Sequence, residues 1–174
     1  MSKVFENYPI NLDTLPQIEE KAFRPIEIAY KLFLQIRNAL LFILSLIIVS
    51  LLNIFGKLEL DQWFFVAMYI AILILWIFSF MLVNIGFPRK KYLLRQHDLL
   101  YKTGYIFEKT TAIPINRIQH IEIRQSILLR MFKLSKLIIY TAGGNSSDLS
   151  ISGLKPEDAS FLKEHISKTI SEHE

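Results

Sequence analysis

The 174-residue chain contains no cysteine. Disulfide frameworks, thiolate nucleophiles and cysteine metal clusters are therefore excluded together. The usual catalytic signatures are missing as well. No HExxH occurs, and His97, His120, His165 and His173 form no pair with metal-ligand spacing backed by a carboxylate. Ser146, Ser147 and Asp148 sit in a glycine turn without a GxSxG elbow, and AGGN at 142–145 lacks the lysine of a phosphate loop. The expectation is a protein without enzymatic activity, cofactor or metal. Charge is also missing, in two long stretches. None falls between Arg37 and Lys57 or between Asp61 and Arg89. Ionisable side chains within such stretches are the usual mark of a proton or ion path, so transport is not expected.

What is there instead is apolar surface. Hydrophobic residues make up 52% of the chain, concentrated in its first half, and the length suits one ordinary domain plus a membrane anchor. Ala39 to Phe55 reads ALLFILSLIIVSLLNIF. At 1.5 Å per residue it spans about 25 Å, slightly short of a hydrocarbon core of about 30 Å. Flanking Arg37 and Lys57 can snorkel to cover the shortfall. The second run, Trp63 to Phe87, is longer and should tilt or run past the bilayer on one side. Only GKLELDQ separates them, so they read as a transmembrane hairpin; a cleaved signal peptide fits poorly. Ala67 and Ala71, four apart, would let the helices approach closely. Trp63 suits an interfacial anchor, and Trp76 either packs in the hairpin or faces lipid. Ahead of the hairpin, Pro25 to Ile36 reads as an interfacial helix opened by Pro25 or as an N-terminal extension of the first span, the latter being favoured.

The formal charge of +4 is unevenly spread. Residues 89–174 carry fourteen basic and nine acidic side chains, while 1–38 are balanced at five of each. Arg24, Lys31 and Arg37 precede the hairpin, Arg89, Lys90, Lys91 and Arg95 follow it, and its linker has Lys57 alone. That bias places both termini on the cytoplasmic side of the cell membrane. A basic domain held at a bilayer points to anionic head groups as partner, not to nucleic acid.

After Pro88 the pattern changes to short alternating segments divided by turn residues. Tyr92–Leu94 and Leu99–Tyr101 read as strands around Gln96-His97-Asp98, and Tyr105–Ala112 as a further strand ended by Pro114. In the next strand Ile121 and Ile123 are expected to share a face with Gln119, opposite His120, Glu122 and Arg124. Residues 126–132 read as a helix or tight turn. Leu134–Thr141 is rich in β-branched and aromatic residues and returns through Leu149–Ile151, with Gly143 and Gly144 supplying the turn. Pro156 opens a helix with Glu157 and Asp158 in its first turn and one apolar stripe, Ala159, Leu162, Ile166 and Ile170.

The run IPINRIQHIEIRQSILLRMFKLSKLIIYTAGG, followed by ISGL and a closing helix containing EDASFL, resembles the YdbS-like bacterial PH domain family. The resemblance covers about Tyr92 to Ile170, and the preceding helix pair is similar to the family's anchor. It implies an α+β membrane protein: a helical hairpin at 39–88, preceded by a juxtamembrane segment 1–38, and a cytoplasmic domain at 89–174. That domain is then a pleckstrin-homology-like antiparallel β-barrel of about seven strands, formed from two near-orthogonal sheets and capped by the C-terminal helix. One departure is Lys133, where such sequences usually place glycine before the long strand. The family carries no reaction to transfer.

Candidate contacts for lipid or a protein partner are Arg89, Lys90, Lys91, Arg95, Arg117, Gln119, Arg124, Arg130, Lys133 and Lys136. The same residues are equally open to reading as a solvated face with ordinary cytoplasmic flanks. Arg117 and Gln119 could also fix the bend after Pro114. The expected role is a membrane-anchored interaction module, a homo-oligomer or part of a complex with other PH-like membrane proteins; the alternative is a binder of anionic head groups.

Overall fold

The computed structural model describes residues 22–56, 61–142 and 149–171. The expected turn glycines Gly143 and Gly144, and Lys57 of the linker, lie outside them. A two-residue strand β1 (Arg24–Pro25) leads into helix α1 (Ile28–Phe55), which is followed by α2 (Gln62–Gly86). Then come β2 (Lys91–Leu94), β3 (Asp98–Thr103), β4 (Lys109–Pro114), β5 (Ile118–Arg124), a short helix α3 (Ile127–Met131), β6 (Ser135–Thr141), β7 (Leu149–Leu154) and α4 (Pro156–Ser171).

The first helix is continuous over 28 residues, about 42 Å at 1.5 Å per residue. The extension reading therefore holds from Ile28 onward, and Pro25, which the other reading had opening a helix, belongs to β1, paired with Lys91. Beyond α2 the strands form two antiparallel sheets, ordered β1-β2-β3-β4 and β5-β6-β7. The expected closed barrel is thus not formed. Pro114 has no N–H for a further ladder bond. A single 3₁₀ turn at Ile115–Arg117 then carries the chain from the first sheet into the second.

The sheets enclose one apolar core. Leu99, Tyr101 and Ile113 from the first meet Ile121, Leu137, Ile139 and Ile151 from the second, and α4 closes the open side with Ala159, Leu162 and Ile166. The α4 stripe is as expected, with Ile170 half-buried at its end. Two strand expectations change. Residues 104–108 form a turn, so β4 starts only at Lys109. In β5 the register slips between Ile118 and His120, which leaves Gln119 as an unpaired bulge residue. The extra residue shifts the alternation, so Ile118 and Ile121 are both buried and Gln119 is exposed.

The departure at Lys133 is explained by how α3 ends. Lys133 N–H donates to Arg130 O at 3.0 Å and Leu134 N–H to Leu129 O at 2.8 Å. This paired pattern closes a helix with a left-handed residue at the position after the cap. Lys133 occupies it, with φ 54°. A side chain there costs about 1–2 kcal/mol, which glycine avoids at the expense of a more flexible unfolded chain. Lys133→Gly is therefore expected to raise stability by about 0.5–1 kcal/mol, and Lys133→Val to lower it; thermal unfolding in detergent micelles checks both signs.

Candidate functional site

The chemistry-bearing residues concentrate where the helical hairpin meets the sheets. Gly153 in β7 has φ +90°, and a Cβ there would lie 2.4 Å from Tyr30 Cγ and 2.6 Å from Ile26 Cγ2. Only glycine lets α1 come this close to the sheet. Glu27 N–H donates to Gly153 O at 3.2 Å, and Lys155 pairs with Glu27 at 3.4 Å. One turn further along α1, Phe33 stacks on Tyr30 at 5.7 Å and meets Phe132 edge-on at 5.8 Å, which ties the helix to α3.

The second helix is seated in the same way. Gly86, its last residue, leaves room for the Tyr105 ring, whose Cδ1 would stand 2.2 Å from an added Cβ. Arg89 donates from its guanidinium to Tyr105 O. The Lys90 ammonium lies 5.5 Å from the Tyr105 ring centroid and donates to Thr103 Oγ1 at 3.4 Å. Burial lowers the Lys90 pKa below the usual lysine value, and nearby Arg37 adds to the effect. Lys102 rests 4.8 Å over the Phe23 ring and pairs with Glu108 at 3.4 Å.

Beneath these groups, burial pushes the Tyr101 phenol up to about 12, despite a hydrogen bond with Thr103. A raised folded-state pKa contributes stability that is complete below the unfolded value of 10.0 and is lost as pH rises through 12. An ultraviolet phenolate titration should therefore show late-ionising tyrosine, and Tyr101→Phe should remove its last step while leaving that of Tyr92, which burial also raises.

The ten candidate contacts fall into two groups. Arg89 and Lys90 lie at the foot of α2, with Lys91 beginning β2 beside Pro25. Arg130 and Lys133 flank the end of α3 next to Phe132, and Arg124 and Lys136 are register partners at the same end of the second sheet. Arg95, Arg117 and Gln119 stand elsewhere. Arg117 and Gln119 line a cavity with Ile170 at the far end of α4, about 24 Å along that 16-residue helix from its start. The Arg117 carbonyl there accepts from Ala142 N–H at 3.1 Å. Arg95 binds Asp98 across the β2–β3 turn, and this bond holds the Asp98 carboxyl below its usual range. Arg124 is paired with Glu122 at 2.7 Å, and Tyr140 O–H donates to the same carboxylate at 3.2 Å. Pro114 ends β4 as expected.

Sequence reasoning missed the seam between the two helices. Gln35 Nε2 donates to Asn84 Oδ1 at 3.4 Å, Asn38 Nδ2 donates to Ser79 Oγ at 3.0 Å, and the Ser50 and Tyr69 hydroxyls share a bond of 3.0 Å. Polar groups thus face inward, while leucine, isoleucine and phenylalanine face out along both helices. Ala67 and Ala71 are exposed and take no part in this contact. Trp76 stacks on Phe42 at 4.9 Å inside the hairpin. The signal was present as polar residues recurring in apolar runs, about one to three helical turns apart.

Two sheets holding an apolar core under a C-terminal helix, carried on a helix pair, define a PH-like domain on a helical hairpin. The sequence model of the bacterial PH domain matches residues 31–170, and the chain belongs to that family. A transmembrane protein of Bacillus subtilis (strain 168), UPF0699 transmembrane protein YdbT, is similar at 26% identity over 83 residues. The matched stretch is 48% of this chain and 17% of that protein, so this chain covers only a small part of its relative's length. No solved structure matches.

Proposed function

We propose that the protein is a non-enzymatic interaction module anchored in the cell membrane, with α1 and α2 crossing as a hairpin and the PH-like domain on the cytoplasmic side. The inside-out hairpin carries this reading. In the most apolar window of each helix only 11% and 6% of residues are buried, and the polar pairs are hidden between them. Such an arrangement is costly in water and favourable in lipid, where polar groups act as glue between helices. The Lys and Arg bias supports this orientation. The relative's designation as a transmembrane protein supports the anchor.

Docking of another membrane protein, or of a second copy, is the role best suited to a small domain held at a bilayer. The edge of the first sheet supports it. Strand β1 covers only Lys91 and Tyr92, and the adjoining hollow between Leu93, Leu94 and Phe161 of α4 could accept an extended segment. Crosslinking in native membranes, followed by identification of what is attached, should recover a stoichiometric membrane-protein partner or a dimer of this chain; uniformly monomeric recovery would remove the reading.

A second reading, capture of anionic head groups, is favoured by Arg89, Lys90, Lys91, Arg130 and Lys133 near the hairpin's foot. Each well-placed Lys or Arg near an anionic leaflet contributes about 1 kcal/mol. Full-length protein in nanodiscs of mixed lipid should then enrich the anionic component, and Arg130→Ser with Lys133→Ser should reduce the enrichment. Unchanged enrichment in the double variant would count against it.

A further inference from the structure

Outside α1 and α2, seven large apolar side chains are exposed among the described residues. Six of them lie in just two segments. Tyr105, Ile106 and Phe107 form the β3–β4 turn, and Ile127, Leu128 and Met131 lie on α3; only Phe161 is elsewhere. Phe107 is 85% exposed and Ile127 83%. Two such clusters on an otherwise charged domain require a partner.

Their position names the partner. Tyr105 packs against Gly86 at the end of α2, and Phe132, directly after α3, packs against Phe33 of α1. Both segments are therefore fastened to the hairpin at one height, one beside each helix. Gln35 bonds Asn84 just above that level. Arg37, one turn past Phe33, is the last charge before the apolar run of α1. The head-group layer must lie around Arg37, and the two clusters lie against it. Their shapes are held firmly. Gly104 has φ +149°, and a Cβ there would fall 1.9 Å from Phe107 O, so the turn is tight and specific to glycine. In α3, Ser126 Oγ accepts from Leu129 N–H at 3.3 Å. Cations flank both clusters: Arg89 and Lys90 beside the turn, Arg130 and Lys133 around α3.

We propose that the β3–β4 turn and α3 are a pair of membrane-insertion elements that dip Ile106, Phe107, Ile127, Leu128 and Met131 into the boundary between head groups and acyl chains, one on each side of the hairpin. This rests on the spanning reading given above. Apolar side chains toward the acyl chains with Lys or Arg on the head-group side is the pattern of peptide segments that lie in that boundary. The domain is thereby held at three points, the hairpin and two shallow wedges, and cannot swing freely beneath the membrane.

The absence of native cysteine makes the test direct. Full-length protein carrying a single nitroxide at Phe107→Cys or Ile127→Cys, reconstituted in lipid vesicles, is probed by collision with oxygen, which favours the bilayer, and with a nickel chelate, which favours water. Labels at Leu75→Cys on the outer face of α2 and Asn116→Cys at the far end of the domain serve as lipid and water references. At Phe107 and Ile127 oxygen collisions should outweigh chelate collisions, between the two references, and Ile106→Cys and Met131→Cys should repeat the result if a first label perturbs folding. Chelate access equal to that at Asn116, with Leu75 still in lipid, would overturn the wedges alone. Chelate access at Leu75 as well would overturn both the wedges and the spanning hairpin.

Discussion

Replacing Gly153 by valine should destabilise the folded protein by about 2–6 kcal/mol, from about 1–3 for a side chain held at an unsuitable φ and about 1–3 for overpacking. The clash is not with the far end of a flexible side chain. An added Cβ meets Tyr30 Cβ at 2.6 Å and Tyr30 Cγ at 2.4 Å, atoms fixed to the α1 backbone. Either α1 moves off the sheet, breaking the Glu27 to Gly153 hydrogen bond, or β7 shifts in the core. Combining Gly153→Ala with Tyr30→Ala removes only the contact with Tyr30 Cγ and leaves the residue-30 Cβ and Ile26 Cγ2, each at 2.6 Å, together with the backbone strain, so the pair should recover only a small part of the lost stability. Denaturant unfolding in micelles measures it. Wild-type stability in Gly153→Val would mean that the helix and the sheet are not in this contact.

The second large effect separates lipid from water. Leu75, near the middle of α2, is 66% exposed. On a helix surrounded by water, Leu75→Arg should be neutral. At the centre of a membrane span the same change costs about 2.5–3.5 kcal/mol on insertion scales. The prediction is a large drop in membrane-integrated protein for Leu75→Arg, with little change for Phe161→Arg, which places the same charge on the exposed side of α4. Fractionation of membranes washed at high pH gives the readout. Equal integration of both variants would contradict a spanning α2.

Much of this architecture could be read from the sequence because its signals are periodic. The α4 stripe, the long β6 and the two charge-free runs all repeat over enough residues to be recognised, and each has its expected place. What escaped recognition is aperiodic or non-local. Strand β1 is two residues long and is defined only by pairing with β2 across more than sixty intervening positions. The bulge at Gln119 shifts the alternation of β5 by one residue, so a strict two-residue period assigns Gln119 to the wrong face. The two sheets part at the 3₁₀ turn Ile115–Arg117; the end of β4 at Pro114 was legible, but the lack of pairing between the sheets was not. In the hairpin, Ala67 and Ala71 suggested the contact by size, whereas the helices are matched by hydrogen bonds. Among the candidate contacts, the pattern grouped Arg117 and Gln119 with Arg130 and Lys133 by nearness in sequence. The length of β5 between them carries the first pair to the opposite end of α4.

The pairing of β1 with β2 bears on how this protein could be handled in solution. Ile26 N–H donates to Lys90 O at 3.2 Å, so the chain leaves the sheeted unit and re-enters it at neighbouring points, with the whole hairpin as an excursion between them. A short glycine bridge replacing residues 28–88 would join ends already side by side and keep Phe23 and Ile26 in place. Such a graft, freed of its greasy excursion, offers a route to crystals that fragments beginning at residue 89, deprived of their first strand, do not.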